Sequence, residues 1–295
     1  ALPDPAAPDH YLFERATIGY LTSSFELAQA APSPGAVAER ALLIGAPEFG
    51  GATHGGPVVL TDTGPCQLSS FEELPGTRQE IEEIGAHLPA SSRLIGAEAS
   101  KSRFVEGLRA RPELVHFATH AYFAGDQGCG TRRPGDAGWR DGDEPISPNP
   151  LLLSGIVLAG ANRPTRVDVE GQSGILTAYE VASLDLRSAG LVALSACDTG
   201  TGLRLRGQEV QGLRWGFRAA GARALVTSLW RSNDVATSRL MEAFYASLAE
   251  SGEAPDAFRG AAALRRAQLA QIESEQRLGV RRPLLWANFV FSGVL

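Results

Sequence analysis

The chain has 295 residues, 44% of them hydrophobic and 20% charged, with a formal net charge of −6 and a pI near 5.5. That length buries a sizeable core in one large α/β domain or two small ones, and the acidic balance argues against a nucleic-acid footprint. No apolar stretch approaches bilayer-spanning length and no basic-then-apolar leader opens the chain, so the expected compartment is the cytoplasm, with neither membrane nor nucleic acid as a direct partner. Three cysteines, Cys66, Cys129 and Cys197, are too few and too scattered for a disulfide framework or a metal site, and reduced thiols are expected.

Ala1-Leu-Pro-Asp-Pro-Ala-Ala-Pro8 reads as a linker; residues 1–10 are expected to lead in from an upstream region and residues 11–295 to form the folded unit. Residues 11–20 and 24–29 predict edge strands or a hairpin. Arg40-Ala-Leu-Leu-Ile-Gly-Ala-Pro47, an apolar run stopped by Gly and Pro, predicts the first core strand. The glycines of 50–64 lack the spacing of a phosphate loop, so no nucleotide is implied. Residues 77–88 carry Ile81, Ile84 and Leu88 at helical spacing, with Thr77 and Glu80 as a capping box. Residues 93–96 read as a strand and 100–108 as a short helix capped near Ser100. Over 124–150, Gly, Asp, Arg and Pro replace apolar periodicity and mark a long surface loop. Residues 151–160 predict a hairpin strand, 175–184 a helix, and 209–220 a helix stopped by Gly221. A strand over 224–230 follows, then a helix over 235–248 capped by Asn233 or Asp234, a helix over 255–276, and a closing strand over 284–293. Strands alternating with helices predict an α/β fold with a mostly parallel sheet.

The densest chemical signal lies in two segments, Leu114-Val-His-Phe-Ala-Thr-His120 and Leu191-Val-Ala-Leu-Ser-Ala-Cys197-Asp-Thr-Gly200. Each is a short apolar run ending in a base-grade or nucleophile-grade side chain. Buried parallel strands read this way, and side chains just past the C-terminal ends of neighbouring strands converge where open α/β sheets place active sites. His120 and Cys197 are therefore candidates for one rim, the arrangement a cysteine-nucleophile hydrolase needs. By spacing alone, a buried core thiol is the favoured reading of such a cysteine. His116, four residues before His120, reads as a satisfied core residue. The two histidines do not make a metal pair, since that spacing needs a helix and a third ligand; no metal and no other cofactor is expected.

Further segments follow along the chain: Leu74-Pro-Gly-Thr-Arg-Gln-Glu-Ile81, Leu152-Leu-Ser-Gly-Ile-Val-Leu-Ala-Gly-Ala161, Ala220-Gly-Ala-Arg-Ala-Leu-Val-Thr-Ser-Leu-Trp230, Asp234, Phe244-Tyr245 and Trp286-Ala-Asn-Phe289. Together with the two strands, and in this order, they resemble the CHAT domains, caspase-like clan CD cysteine peptidases related to separases and often joined to tetratricopeptide repeats. The resemblance covers nearly the whole chain. It implies a caspase-haemoglobinase-like three-layer fold, mostly parallel in its central sheet and flanked by helices. It also implies a His120/Cys197 dyad, oxyanion donors on the backbone N–H groups of Ala121 and Cys197, and an upstream helical-repeat sensor region. The implied activity is a cysteine endopeptidase cutting a protein or peptide substrate in bacterial defence or cell-death signalling, for example to release a gasdermin-like pore former.

Two departures from the family pattern bear on the site. Ala121 stands where relatives often have Gly, and it keeps an oxyanion donor if its backbone angles admit a Cβ. Glu209, within Arg206-Gly-Gln-Glu-Val-Gln-Gly212, replaces another Gly and bears on the shape of the substrate groove. Thr119, Asp198 or a main-chain carbonyl are the options for orienting the imidazole. Asp126 and Asp234 are candidate floors for the pocket that takes the P1 residue, where an acid selects Arg or Lys; Asp126 also suits a turn, and Asp234 a helix N-cap. Trp230 and Arg231 follow a core strand where caspase relatives add the substrate as a strand, although Trp230 also suits a core, and Asp198 joins them on the substrate side. Cys129 reads as an exposed thiol. Two other readings stand beside the peptidase: a catalytically silent interaction module with the same fold, and a non-peptidic Cys/His hydrolase.

Overall fold

A computed structural model describes residues 3–21, 40–51, 56–61, 64–124, 149–163, 173–196, 203–204, 210–230, 233–250, 257–280 and 282–293. The chain opens with β1 (Pro3–Asp4) and β2 (Ala7–Tyr11), then β3 (Ala41–Pro47), β4 (Val58–Thr61), β5 (Gly64–Gln67), α1 (Gly76–His87), β6 (Ser91–Gly96) and α2 (Lys101–Gly107). Next come β7 (Leu114–Ala118), β8 (Ala121–Phe123), β9 (Ser154–Val157), β10 (Ile175–Thr177), α3 (Ala178–Ala182) and β11 (Leu191–Ser195). It continues through β12 (Leu203–Arg204), β13 (Val210–Gln211), α4 (Leu213–Ala219), β14 (Ala224–Ser228), α5 (Asp234–Glu250), α6 (Ala257–Arg277) and β15 (Phe289–Gly293).

The central sheet has six strands in the order β15-β14-β11-β7-β3-β6. Neighbours run parallel except β15, which lies antiparallel to β14 at one edge. β3, β7, β11 and β14 are buried and mostly apolar because both their faces are covered, and alternate side chains go to different layers. From β7, Leu114 and Ala118 join Met241, Phe244 and Tyr245 of α5 and Leu264 of α6. Val115 and Phe117 join Phe104 of α2 with Leu213 and Phe217 of α4 on the other side. Each such fully buried Leu or Phe contributes roughly 1.5–3 kcal/mol of transfer free energy. The product is a three-layer α/β fold, with the mostly parallel sheet between helical layers. A small antiparallel sheet, β10-β9-β8, sits beside it and carries a third apolar cluster that includes Phe49, Tyr122, Leu153 and Val157.

Local signals explain several helix ends. Ser100 accepts from Arg103 N at the start of α2, and Gly221, at φ +102°, closes the turn after α4 in a conformation that a Cβ would strain. Asn233 caps α5, its Oδ1 accepting from Val235 N and Ala236 N at 3.1 and 3.2 Å. The cap expected at Thr77 and Glu80 is not formed. Thr77 donates instead to Leu74 O and accepts from Ala46 N, tying the start of α1 to β3, while the Glu80 side chain turns into the core. A capping box forms elsewhere, between Thr177 and Glu180 at α3.

Other expectations shift at boundaries. Residues read as linker include β1 and part of β2, which pair as a short hairpin. Residues 175–177, expected to be helical, form β10, and 210–211 form β13 ahead of α4. The closing strand starts at Phe289 because Pro283 opens a 3-10 turn, Pro283–Leu285, first. Cys66 is disulfide-bonded rather than reduced. β5 carries it into the third cluster beside Leu68 and Tyr122, a proximity that sequence spacing does not reveal. Cys129 and Cys197, the other two cysteines of the chain, lie outside the described residues.

Candidate active site

β7 and β11 are adjacent and parallel, with Ala118 opposite Ser195 at the end of their shared register. Both strands end there because small and polar residues follow: Thr119-His120 after β7 and Ala196-Cys197 after β11. The corner at His120 is clamped. Thr119 donates its hydroxyl to Val157 O at 2.6 Å, and Val157 N donates to His120 O at 2.9 Å. On the β11 side, Ser228 of β14 donates to Ala196 O, fixing the residue before Cys197.

The imidazole of His120 packs against two aromatic rings, with the Phe49 and Phe71 centroids each 5.4 Å away and both rings tilted to it. Its Nε2 is 2.7 Å from Glu72 O. A carbonyl only accepts, so Nε2 carries the proton and Nδ1 the lone pair in the neutral ring. Of the orienting groups expected, the main-chain carbonyl fills the role, and Thr119 is committed to β9. Phe49, Phe71 and Glu72 were not anticipated, since they lie in stretches with no periodic pattern and act through a ring face and a backbone oxygen.

Ala121 opens β8. The bonds Val157 N to His120 O and Ala124 N to Leu153 O place the even-numbered residues of this stretch against β9. The alternation of an antiparallel ladder therefore turns the Ala121 N–H away from β9. Among the described non-glycine residues only Ala46 and Arg111 have positive φ, so Ala121 occupies backbone space that admits a Cβ. The substitution for Gly is accommodated.

A cleft opens at the C-terminal ends of β7, β11 and β14, where Thr119, Ser195 and Ala196 line it. Glu80, Asp234, Trp230 and Asn288 form further parts of its wall. Asp234 packs on the start of α1, its Cβ 3.1 Å from where a Cβ on Gly76 would stand. With Asn233 as the cap, its carboxylate is not required for that task. Trp230 is half-buried at the cleft, donating Nε1–H to Leu284 O at 3.1 Å, and its carbonyl accepts from Asn288 Nδ2 at 3.4 Å. Beneath the cleft His116 is fully buried, with Nε2 3.0 Å from Glu80 Oε1 and Nδ1 3.0 Å from Tyr245 Oη. Burial, and then the Glu80 charge, hold the Tyr245 phenol well above its ordinary pKa, so it stays a donor. Asp126, Cys197, Asp198, Arg206, Glu209 and Arg231 lie outside the described residues. No helix among the described residues is long and apolar enough to cross a membrane.

Comparison with curated proteins gives no match. The structure is similar to the crystal structure of the Arg specific cysteine proteinase gingipain R, at 12% identity and TM-score 0.47, over 87% of this chain and 46% of that one. It is also similar to the complex of Porphyromonas gingivalis RgpB pro- and mature domains, at 14% identity and TM-score 0.42, over 87% and 47%. The chain spans less than half the length of these two proteins. The sequence matches the CHAT domain family over residues 1–294, and the chain belongs to that family.

Proposed function

We propose that the chain is a cysteine endopeptidase in which Cys197 is the nucleophile and His120 the general base and acid. The observation that carries this reading is the setting of His120: its ring packs tilted against Phe49 and Phe71, with Nε2–H on the Glu72 carbonyl, at the end of a strand adjacent to the one that leads to Cys197. Each residue stands two positions beyond the last paired residues, Ala118 and Ser195, on strands about 4.8 Å apart. A free thiol near pKa 8.5 is mostly protonated at neutral pH, so the Nδ1 lone pair takes its proton. The sulfur then bonds to the scissile carbonyl carbon, and the carbonyl π electrons move to oxygen. Backbone N–H groups of Ala121 and Cys197 receive that oxyanion, each worth about 3 kcal/mol by analogy with other acyl-transfer sites. Collapse breaks the C–N bond as the imidazolium protonates the leaving amine, and water later releases the acid from the thioester. The family setting suggests regulated cleavage of specific proteins, in bacterial defence or cell death and under an upstream helical-repeat sensor, with a gasdermin-like precursor as one such substrate.

Cys197→Ala and His120→Ala test the chemistry in a peptide-library cleavage assay on the intact chain. Loss of cleavage in both is expected; wild-type rates in either one exclude the mechanism. The reading also requires Cys197 to be a thiol, which assigns the Cys66 disulfide to Cys129. Peptide mapping without reductant should recover a Cys66–Cys129 cross-link and an alkylated Cys197. A Cys66–Cys197 cross-link would contradict it.

A further inference from the structure

We propose that the cleft at the ends of β7, β11 and β14 receives the side chain on the N-terminal side of the scissile bond and is built for lysine or arginine, with Glu80 as a specificity-determining charge. For the reaction this rests on the peptidase reading; for binding it rests on the cleft alone. The wall carries two carboxylates, Glu80 and Asp234, and among its described residues no Lys or Arg. Three of its hydroxyl groups spend their hydrogens on backbone carbonyls: Thr77 on Leu74, Thr119 on Val157 and Ser228 on Ala196. None of the three has a hydrogen left to donate to a ligand.

Two further polar atoms mark where a ligand belongs. Asn288 and Ser195 line the cleft and are 1% and 5% exposed, and Asn288 Oδ1 and Ser195 Oγ have no hydrogen-bond partner among the described residues. Buried polar atoms are normally satisfied, and a guanidinium or ammonium group supplies several N–H donors at once. The starts of α1 and α5 meet here and oppose a cation, but each helix end carries at most about half a charge. The first-turn N–H groups of Val235 and Ala236 are already taken by Asn233. Two formal negative charges outweigh that residue.

Glu80 is braced for this task. Tyr245 donates to His116 Nδ1, and His116 donates through Nε2 to Glu80 Oε1, so a chain of donors ends on the carboxylate and fixes its rotamer. The second Glu80 oxygen makes no hydrogen bond among the described residues. The glutamate is 2% exposed, and low-dielectric surroundings strengthen its pull on a cation.

The test compares kcat/KM of the intact chain on peptides with P1 arginine or lysine against their neutral near-isosteres, citrulline and norleucine. Charge-assisted recognition predicts a preference of about 100-fold for each basic residue. Glu80→Gln keeps an acceptor for His116 and should shrink that ratio about 10-fold, with Asp234→Asn shrinking it less. A purely structural role for Glu80 would lower all rates and leave the ratio unchanged, which overturns its assignment. If Glu80→Gln does not fold, the wild-type ratios and Asp234→Asn decide. A wild-type ratio near one, or a preference for neutral or acidic P1, overturns the pocket while leaving the peptidase reading intact. If no peptide is cut, calorimetry of Cys197→Ala with N-acetyl-arginine amide and its citrulline analogue separates the two ideas. At least 10-fold tighter binding of arginine supports the pocket, and equal binding overturns it.

Discussion

The interior of β7 and its C-terminal rim each hold a histidine, four residues apart, and the fold treats them in opposite ways. His116 pairs in register with Leu43 and Ala193 on its neighbouring strands, and α1 and α5 close over it with Glu80 and Tyr245. Both ring nitrogens serve the structure, bracing two helices to the sheet. His120 stands past the last paired residue, where two tilted aromatic rings and the Glu72 carbonyl orient it. The lesson is positional: inside the sheet a histidine's hydrogen bonds are absorbed by packing, and at the rim the fold supplies orientation while the ring keeps its basic chemistry.

Substituting the two histidines should separate these roles most widely. His120→Ala is expected to lose about 10²–10⁴-fold of peptide cleavage, with a urea-unfolding midpoint close to wild type. His116→Ala leaves a buried carboxylate and a buried phenol without their shared partner, at a cost of about 3 kcal/mol. Urea unfolding measures the second effect. A His116→Ala protein as stable as wild type would show that the interior network contributes nothing, and the contrast between strand interior and rim would fail.

Alkaline pH probes the interior from another side. The buried phenols of Tyr122 and Tyr245 are both raised above the ordinary value of 10.0, each mainly by burial, with Glu180 adding to the first and Glu80 to the second. Unfolded phenols lose their protons first, so the unfolded state binds fewer protons above pH 10. The associated stability is fully present below that pH and is lost as pH rises, by about 1.4 kcal/mol per pH unit for each tyrosine. Tyr245→Phe should halve that slope. It should also cost about 1 kcal/mol at neutral pH through the lost bond to His116. An unchanged alkaline slope in Tyr245→Phe would mean that this phenol titrates normally.

The central sheet was legible because doubly covered strands leave unbroken apolar runs, as at Leu191–Ser195, and because Ser100 and Gly221 punctuate helices in ways set by local backbone geometry. The rim position of His120 was legible for the same reason. What holds its ring was not. Glu72 acts through a main-chain oxygen, which every residue has, and Phe71 lies in a stretch without periodicity. Glu80 misled because its spacing from Thr77 suits a cap, yet its partner comes from a strand 36 residues away. Long-range competition of that kind, like the disulfide at Cys66, belongs to the folded topology and leaves no local pattern.

The start of α5 offers the smallest effect and a direct check on Asp234. Asn233 Oδ1 accepts from two first-turn N–H groups, so Asn233→Ala should cost about 1 kcal/mol of unfolding free energy. Asp234→Ala removes only a favourable charge near the helix N-terminus, about 0.5 kcal/mol at low salt. Chemical denaturation at two ionic strengths separates them, since a lost hydrogen-bond cap persists in salt and a lost helix-end charge is screened. Equal, salt-independent losses would make Asp234 part of the cap after all. Its carboxylate would then be committed to the helix, and the cleft would depend on Glu80 alone for its charge.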